Sequence, residues 1–353
     1  MISFTDAVNA AVERGASDIF VVAGRPVTVK VGRELIPIGD HQLTSDESFR
    51  LVGESYVLAE RPLEKLTSSG DDDFAISVPG LSRLRVSAYK QRGSLACVVR
   101  IVSIAVPDYK TIGIPDAVMS AAEVRQGLVI VSGVAGSGKS TTLACIIDRI
   151  NHSREGHIIT LEDPIEFLYR NDRCIISQRE VRIDTADYIT ALRASLRQAP
   201  DVILLGEMRD YETIRTAMTA AETGHLVLST LHTKGAANTI DRIIDIFPPD
   251  QQQQIRVQLA YMLREVVSEQ LVPTADGGVA PVFEVMVVNN AVRNLIRDAK
   301  LHQIDSVIST SAAEGMVSMD NSLLELLRSG VITHDVAVDF AVNPDLMRKR
   351  LGE

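Results

Sequence analysis

Gly133-Val134-Ala135-Gly136-Ser137-Gly138-Lys139-Ser140-Thr141 is the stretch that decides the fold. It satisfies a pattern of Gly, four residues, then Gly-Lys-Ser, which average residue frequencies would produce by accident in about one chain in a hundred of this length. Its context argues further against accident. The apolar run Gly127 to Val131 before it reads as a buried parallel strand, and Leu143, Ile146, Ile147 and Ile150 after it recur at helical spacing. A glycine-rich loop between strand and helix turns its backbone N–H groups inward, and the helix start adds partial positive charge, so the loop suits a polyphosphate. Lys139 is spaced to reach the β- and γ-phosphates of ATP and the Ser140 hydroxyl to hold Mg²⁺. Gly133, Gly136, Ser137, Gly138 and Thr141 complete the cradle.

Working outward, strands alternate with helices. Leu128 to Val131, His157 to Leu161, Val202 to Leu205 and Leu226 to Leu231 read as strands. Helices are expected over Ala186 to Gln198 and Tyr211 to Glu222, which is the pattern of a mostly parallel sheet covered by helices. Beyond Gln251 the pattern is mainly helical, with one strand near Val282 to Val288.

A bound nucleotide needs carboxylates at the C-terminal ends of neighbouring strands, for the metal and for water. Val202-Ile203-Leu204-Leu205-Gly206-Glu207 ends in one, and Glu207 is the candidate Walker B acid. Leu161-Glu162-Asp163-Pro164-Ile165-Glu166 holds three more, at the end of another strand. Acidic surface loops are common, but the position of this cluster favours Glu166 for polarising water and Glu162 and Asp163 for the metal shell. His225 and His232 bracket one strand and together could report γ-phosphate occupancy, although a lone histidine is more often structural. Arg193 and Arg197 share a helical face, where salt bridging is the default.

The first third of the chain is different. A helix is expected from Ile2 to about Arg14, strands at Asp18 to Val22, Val27 to Val31 and Glu34 to Ile38, and a helix from Ser45 to about Leu58. Strands over Asp71 to Val78, Arg83 to Tyr89 and Leu95 to Ile104 complete a small sheet, with turns at Gly32-Arg33, Pro79-Gly80 and Arg92-Gly93. The segment Ala105 to Pro115 carries Pro107, Gly113 and Pro115 and breaks both periodicities. The expected organisation is a smaller α+β domain over 1–104, a linker over 105–115 and an α/β domain over 116–353.

Composition excludes several classes. The net charge of −10 opposes nucleic acid as the main partner, because a phosphate-tracking surface needs a basic excess. No run approaches ~20 apolar residues and the N-terminus lacks a signal-peptide layout, so no membrane span is expected and a cytoplasmic location is. Cys97, Cys145 and Cys174 show no paired spacing and read as buried thiols.

Four motifs in order now carry a resemblance. They are Gly136-Ser137-Gly138-Lys139-Ser140-Thr141-Thr142-Leu143-Ala144, Glu162-Asp163-Pro164-Ile165-Glu166-Phe167, Gly206-Glu207-Met208-Arg209-Asp210, and Thr223-Gly224-His225-Leu226-Val227 with Thr230-Leu231-His232-Thr233. Together they resemble the Walker A, Asp-box, Walker B and His-box motifs of the secretion ATPase superfamily, and most closely its type IV pilus retraction motors. The resemblance covers nearly the whole chain. It implies an α/β fold, with a PAS-like N-terminal domain ahead of a RecA-like P-loop ATPase domain. It also implies a homohexamer that binds ATP and Mg²⁺ between subunits.

On this resemblance Glu166 is the catalytic glutamate, and Arg85 and Arg100, with Arg83 and Arg92 behind them, approach a neighbour's phosphates. Ala291-Val292-Arg293-Asn294-Leu295-Ile296-Arg297-Asp298 is similar to the family's retraction signature. The implied work is pilin depolymerisation and twitching motility, at an inner-membrane platform protein on the inner face of the plasma membrane at the pilus base. Val134-Ala135, Ile19-Phe20, Val292 and Asp298 depart from the family pattern and remove no phosphate or metal ligand. They leave open an accessory paralogue or a secretion ATPase of another apparatus. A nucleic-acid motor and a nucleotide-gated switch are the rivals outside the family.

Overall fold

The computed structural model describes residues 2–32, 34–78, 82–102 and 106–352. The expected turns at Gly32-Arg33 and Pro79-Gly80, the end of the strand reaching Ile104, and Ala105 at the start of the linker fall wholly or partly outside them. The chain divides into two compact units, Met1–Ala105 with Ile165–Leu168, and Val106–Pro164 with Tyr169–Glu353.

The first unit begins with α1 (Phe4–Glu13), whose N-cap Ser3 and Asp6 form a reciprocal capping box. Strands β1 (Asp18–Val21), β2 (Thr28–Val31) and β3 (Glu34–Pro37) follow. Helix α2 (Ser45–Leu58) is boxed by Thr44 and Glu47, and short α3 (Glu64–Ser69) leads to β4 (Asp71–Val78), β5 (Ser82–Gln91) and β6 (Ser94–Val102). The sheet order is β3-β2-β1-β6-β5-β4, with every pair antiparallel. Alternation sets its two faces. Ile19, Leu84, Val86, Cys97 and Val99 pack against Phe4, Val8, Leu51 and Tyr56 of the helices, while Arg85 and Arg100 lie at the intervening positions. Asp72, its side chain fully buried, accepts from Tyr56 and pairs with Arg61 and Lys65.

The second unit is built on a longer sheet. It runs α4 (Asp116–Met119), β7 (Gly127–Ser132), α5 (Lys139–Ser153), β8 (Gly156–Glu162), β9 (Cys174–Glu180), α6 (Tyr188–Ser195) and β10 (Val202–Leu205). Then come α7 (Tyr211–Glu222), β11 (Leu226–Leu231), α8 (Ala236–Asp245), α9 (Gln252–Met262), β12 (Leu263–Pro273) and β13 (Val279–Val287). Five helices finish it: α10 (Asn290–Arg297), α11 (Ile304–Thr310), α12 (Met319–Arg328), α13 (His334–Asp339) and α14 (Pro344–Leu351). The strand order is β13-β12-β7-β11-β10-β8-β9, parallel except for the β12–β13 pair.

The central strands are buried on both faces, which is why they read as unbroken apolar runs. Leu128 and Ile130 of β7, Ile203 and Leu205 of β10 and Val227 of β11 join the core with residues of α6 to α10. Their alternates Val129, Val131, Leu204 and Leu228 join a second core with Val118, Ile146 and Ile147 of α4 and α5. Each fully buried Val, Leu or Ile contributes roughly 1.5–3 kcal/mol relative to exposure. The last three helices form their own cluster with Val272 and Val282.

Two strands depart from the sequence expectation. β9 is an additional strand on β8, and β12 occupies a region read as helical. Glu265 and Glu269 explain the second departure. Spaced four apart, they imitate the polar stripe of a helix, yet each is 2% exposed on a strand beside β7. All three cysteines are free and buried, and among the described residues no helix is long and apolar enough to cross a membrane.

Candidate nucleotide site

β7 delivers the glycine loop from its C-terminal end. The Gly133 N–H donates to the Leu231 carbonyl at 3.1 Å, which pins the loop's start to the end of β11. Gly133, Gly136 and Gly138 have φ of 151°, 77° and 105°, a backbone path that only glycine follows without strain. Lys139 is 8% exposed and its ammonium donates to the carbonyls of Gly133 (2.9 Å) and Val134 (2.8 Å), so the lysine closes the curl it belongs to. Val134, Ala135, Gly136 and Ser140 are exposed, Thr141 half-buried and Ser137 buried. Among the described residues the buried Ser137 hydroxyl has no hydrogen-bond partner.

The start of α5 differs from most helix starts here. Among the described residues eight helices carry a Ser, Thr, Asp or Asn side chain that caps their free N–H groups. α5 begins instead at Gly138 with no side-chain cap and no acid in its first turn. That leaves its N–H groups and the positive end of its dipole for an anion. An uncapped helix start, an orphaned hydroxyl and a buried ammonium in one loop fit a polyphosphate.

The strand order sets which carboxylates lie closest. β11 is the neighbour of β7, then β10, then β8. At about 4.8 Å per strand, Glu207 after β10 is one strand nearer the loop than Glu162 and Asp163 at β8. The Gly206 N–H donates to the Leu161 carbonyl (2.8 Å) and the Met208 N–H to the Thr230 carbonyl (3.2 Å), which stitches the Glu207 turn between β8 and β11. Glu207 lies 3.3 Å from His232 Nε2 through one oxygen and 2.6 Å from Arg209 Nη2 through the other. Glu162 accepts from Thr160 (2.6 Å) and Gln178 (3.3 Å), and Asp163 pairs with Arg182 at 3.3 Å.

Tyr188 at the start of α6 lies within the electrostatic reach of all three acids. Burial, followed by the charges of Glu207, Asp163 and Glu162, raises its phenol pKa well above the ordinary value. A Cβ at Gly206 would lie 2.8 Å from its hydroxyl. No sequence signal marks Tyr188 beyond its place at the start of an expected helix.

Other predicted residues sit as follows. Glu166 is exposed, in the Ile165–Leu168 segment that belongs with the first unit. Arg85 and Arg100 face one another across β5 and β6, and Arg100 opposes Asp18 of β1, to which its Nε donates at 3.0 Å. Arg83 is on the same face as Arg85, and Arg92 has φ 47° in the β5–β6 turn. Arg193 bridges to Glu212 at 3.3 Å, the salt bridge expected of that helical face. His225 corrects the paired-histidine expectation. It precedes β11, a strand length of about 20 Å from His232, and its Nδ1 lies 2.9 Å from the Ala220 carbonyl near the end of α7.

One residue beside the loop carries no motif. Glu269 of β12 accepts from the Thr142 hydroxyl of α5 at 2.8 Å. Burial pushes its pKa up to about 7, against the pull of Thr142 and Lys139.

Among the described residues no three His, Cys, Asp or Glu side chains converge to hold a metal ion. Mg²⁺ keeps waters and phosphate oxygens and takes only one or two protein ligands. Ser140, Glu207, Glu162 and Asp163 are oxygen donors of the right chemistry.

The family model described as "Type II/IV secretion system protein" matches residues 2–280. The type IV pilus retraction ATPase PilT of Pseudomonas aeruginosa is 38% identical over 98% of this chain and 99% of its own. The type IV pilus ATPase PilU of the same organism is 37% identical over 98% of this chain and 91% of its own. A crystal structure of the pilus retraction motor PilT with bound ADP is similar at a TM-score of 0.89 and 39% identity, covering 99% of this chain and 100% of that one. It shares the mixed α/β architecture with two sheets. With a family model over most of its length and a relative of this identity spanning both chains, the protein belongs to the Type II/IV secretion system family, as a secretion ATPase of the PilT kind.

Proposed function

We propose that this ATPase powers retraction of a type IV pilus. It works as a homohexamer at the inner face of the plasma membrane, at the pilus base, and pulls on an inner-membrane platform protein so that pilin depolymerises. The observation that carries the reading is the Glu207–His232 contact at the ends of β10 and β11, beside a phosphate loop whose helix start is uncapped. The retraction activity named for the Pseudomonas relative, matched along nearly the whole of both chains, supports it. In this reading an N-terminal domain over 1–104 and an ATPase domain over 116–353 are joined by a linker at 105–115, and nucleotide contacts bias their arrangement.

Each residue then has a role. Lys139 and the loop N–H groups hold the phosphates and Ser140 the metal, with Glu207, Glu162 and Asp163 as its remaining protein ligands or their supports. Mg²⁺, when bound, neutralises charge on the phosphate oxygens. Glu166 polarises the attacking water, and the Glu207–His232 pair holds β10 and β11 in one arrangement. Arg85 and Arg100 of a neighbouring subunit approach the phosphates.

The test is ATPase activity against protein concentration, with mass in solution measured with and without Mg²⁺ and ATP. Specific activity should rise as a species of six subunits appears. Full activity in a monomer would overturn the shared site. The near-equal identity to PilU favours one second reading, an accessory ATPase of the same apparatus. Loss of this chain alone should abolish retraction if it is the motor, and leave retraction in place if it is the accessory.

A further inference from the structure

β12 runs parallel to β7 in a register that pairs Ser268 with Ser132, the last residue of β7. The next residue, Glu269, therefore arrives where β7 turns into the phosphate loop. Three contacts follow. A Cβ at Gly133 would overlap the Glu269 carbonyl oxygen, a Cβ at Gly138 would overlap its carboxylate, and the Thr142 hydroxyl donates to Oε2 at 2.8 Å. One strand residue thus touches the first and last glycines of the loop and the first turn of α5. Both glycines are required by this packing as well as by their backbone angles.

Glu269 is 2% exposed and Thr142 fully buried, so water does not screen the carboxyl. The titratable groups that face it from α5 are Lys139 and Cys145. From β13 its register partner is Phe283, and Glu265 is the next acid along β12. The Cys145 thiol is pushed up to about 12, chiefly by burial, and stays neutral near pH 7. Lys139 is then the charge that matters, and its ammonium already serves the carbonyls of Gly133 and Val134.

We infer that Glu269 is a positioning residue of the nucleotide site, a buried strand carboxyl that locks the start of α5 beneath the phosphate loop and takes up a proton when a polyphosphate binds. The inference rests on the nucleotide-site reading and extends it. A carboxylate without water nearby repels incoming phosphates and competes with them for Lys139, whereas the neutral acid does neither. The neutral acid still packs against Gly138 and still accepts from Thr142. Burial has already pushed its pKa up to about 7, so added negative charge raises it further and draws in a proton. Affinity is then greatest at low pH and falls as pH rises through that value.

Calorimetric titration with MgADP at pH 6.5, 7.5 and 8.5, on the full-length protein and on Glu269→Gln, tests this. The amide keeps the acceptor for Thr142 and cannot ionise. Wild-type affinity should fall about three- to tenfold more than that of the variant across the range, and the variant should bind more tightly at pH 8.5. Repeating the wild-type titration at pH 7.5 in buffers of different ionisation enthalpy counts protons, and net uptake is expected. That second measurement decides the matter if the variant fails to fold. Parallel profiles, or no uptake, overturn the role of Glu269 and leave the nucleotide site standing. Absence of MgADP binding by the wild type at every pH overturns the nucleotide site, and this inference with it.

Discussion

His232 Nε2 and Glu207 Oε2 lie 3.3 Å apart and join the ends of β11 and β10, the two strands nearest β7 on that side of the sheet. The same carboxylate holds Arg209 through its other oxygen. With its proton on Nε2 the histidine donates into that contact and ties the ends of the two strands together. Replacing His232 by Ala should lower kcat about tenfold or more while changing KM for ATP little. Equal turnover in the two proteins would show that the contact is structural only.

Lys139→Ala removes the ammonium that closes the loop and that, in the proposed function, holds the phosphates. Charge-assisted hydrogen bonds of this kind are worth about 1.5–3 kcal/mol, so MgADP should bind about 10- to 100-fold more weakly. Fluorescence titration with a labelled ADP checks it, and undiminished affinity would contradict the assignment of the loop.

Glu166→Gln separates chemistry from binding. The amide cannot take a proton from water, and turnover should drop by at least about 100-fold, with MgADP affinity unchanged. Steady-state hydrolysis measured beside calorimetry gives both numbers. Unimpaired turnover would move the role of general base elsewhere.

Glu265 predicts a pH dependence of stability rather than activity. It is buried, one carboxyl oxygen has no hydrogen-bond partner among the described residues, and Ser120 reaches the other at only 3.4 Å. Burial, opposed weakly by Ser120, pushes its pKa up to about 8 from an ordinary 4.5. The folded state therefore binds this proton more tightly than the unfolded state does. Its contribution is fully present below the unfolded value and is lost as pH rises through the folded one. Glu265→Gln should gain on the wild type, by on the order of 2 kcal/mol between pH 6 and pH 9. Denaturant melts at the two pH values measure the gain, and a constant difference would refute the burial argument.

Much of the architecture is legible in the chain itself. β7, β10 and β11 carry no charged residue and are bounded by turns, and α7 follows an Asp210 cap, so periodicity finds them within a residue or two. β12 is not legible in this way, because Glu265 and Glu269 break the apolar run that a buried strand normally shows. The order of strands is also absent from the sequence. That order decides that Glu207 meets His232 and that Tyr188 stands among three acids. Glu269 belongs with these, since only the register of β12 against β7 brings it to the loop.

The strand order also fixes when the site can exist. β7 begins at Gly127, but the two strands that flank it end only at Leu231 and Pro273. A ribosome emits the phosphate loop early, and N-terminal segments are free to collapse first. Until residue 273 of 353 has emerged, an apolar strand with at least one bare edge waits for its neighbour. The nucleotide pocket is thus a late product of synthesis. A chain truncated before β12 would keep every residue of the loop, lack the wall it leans on, and offer an open strand to its neighbours.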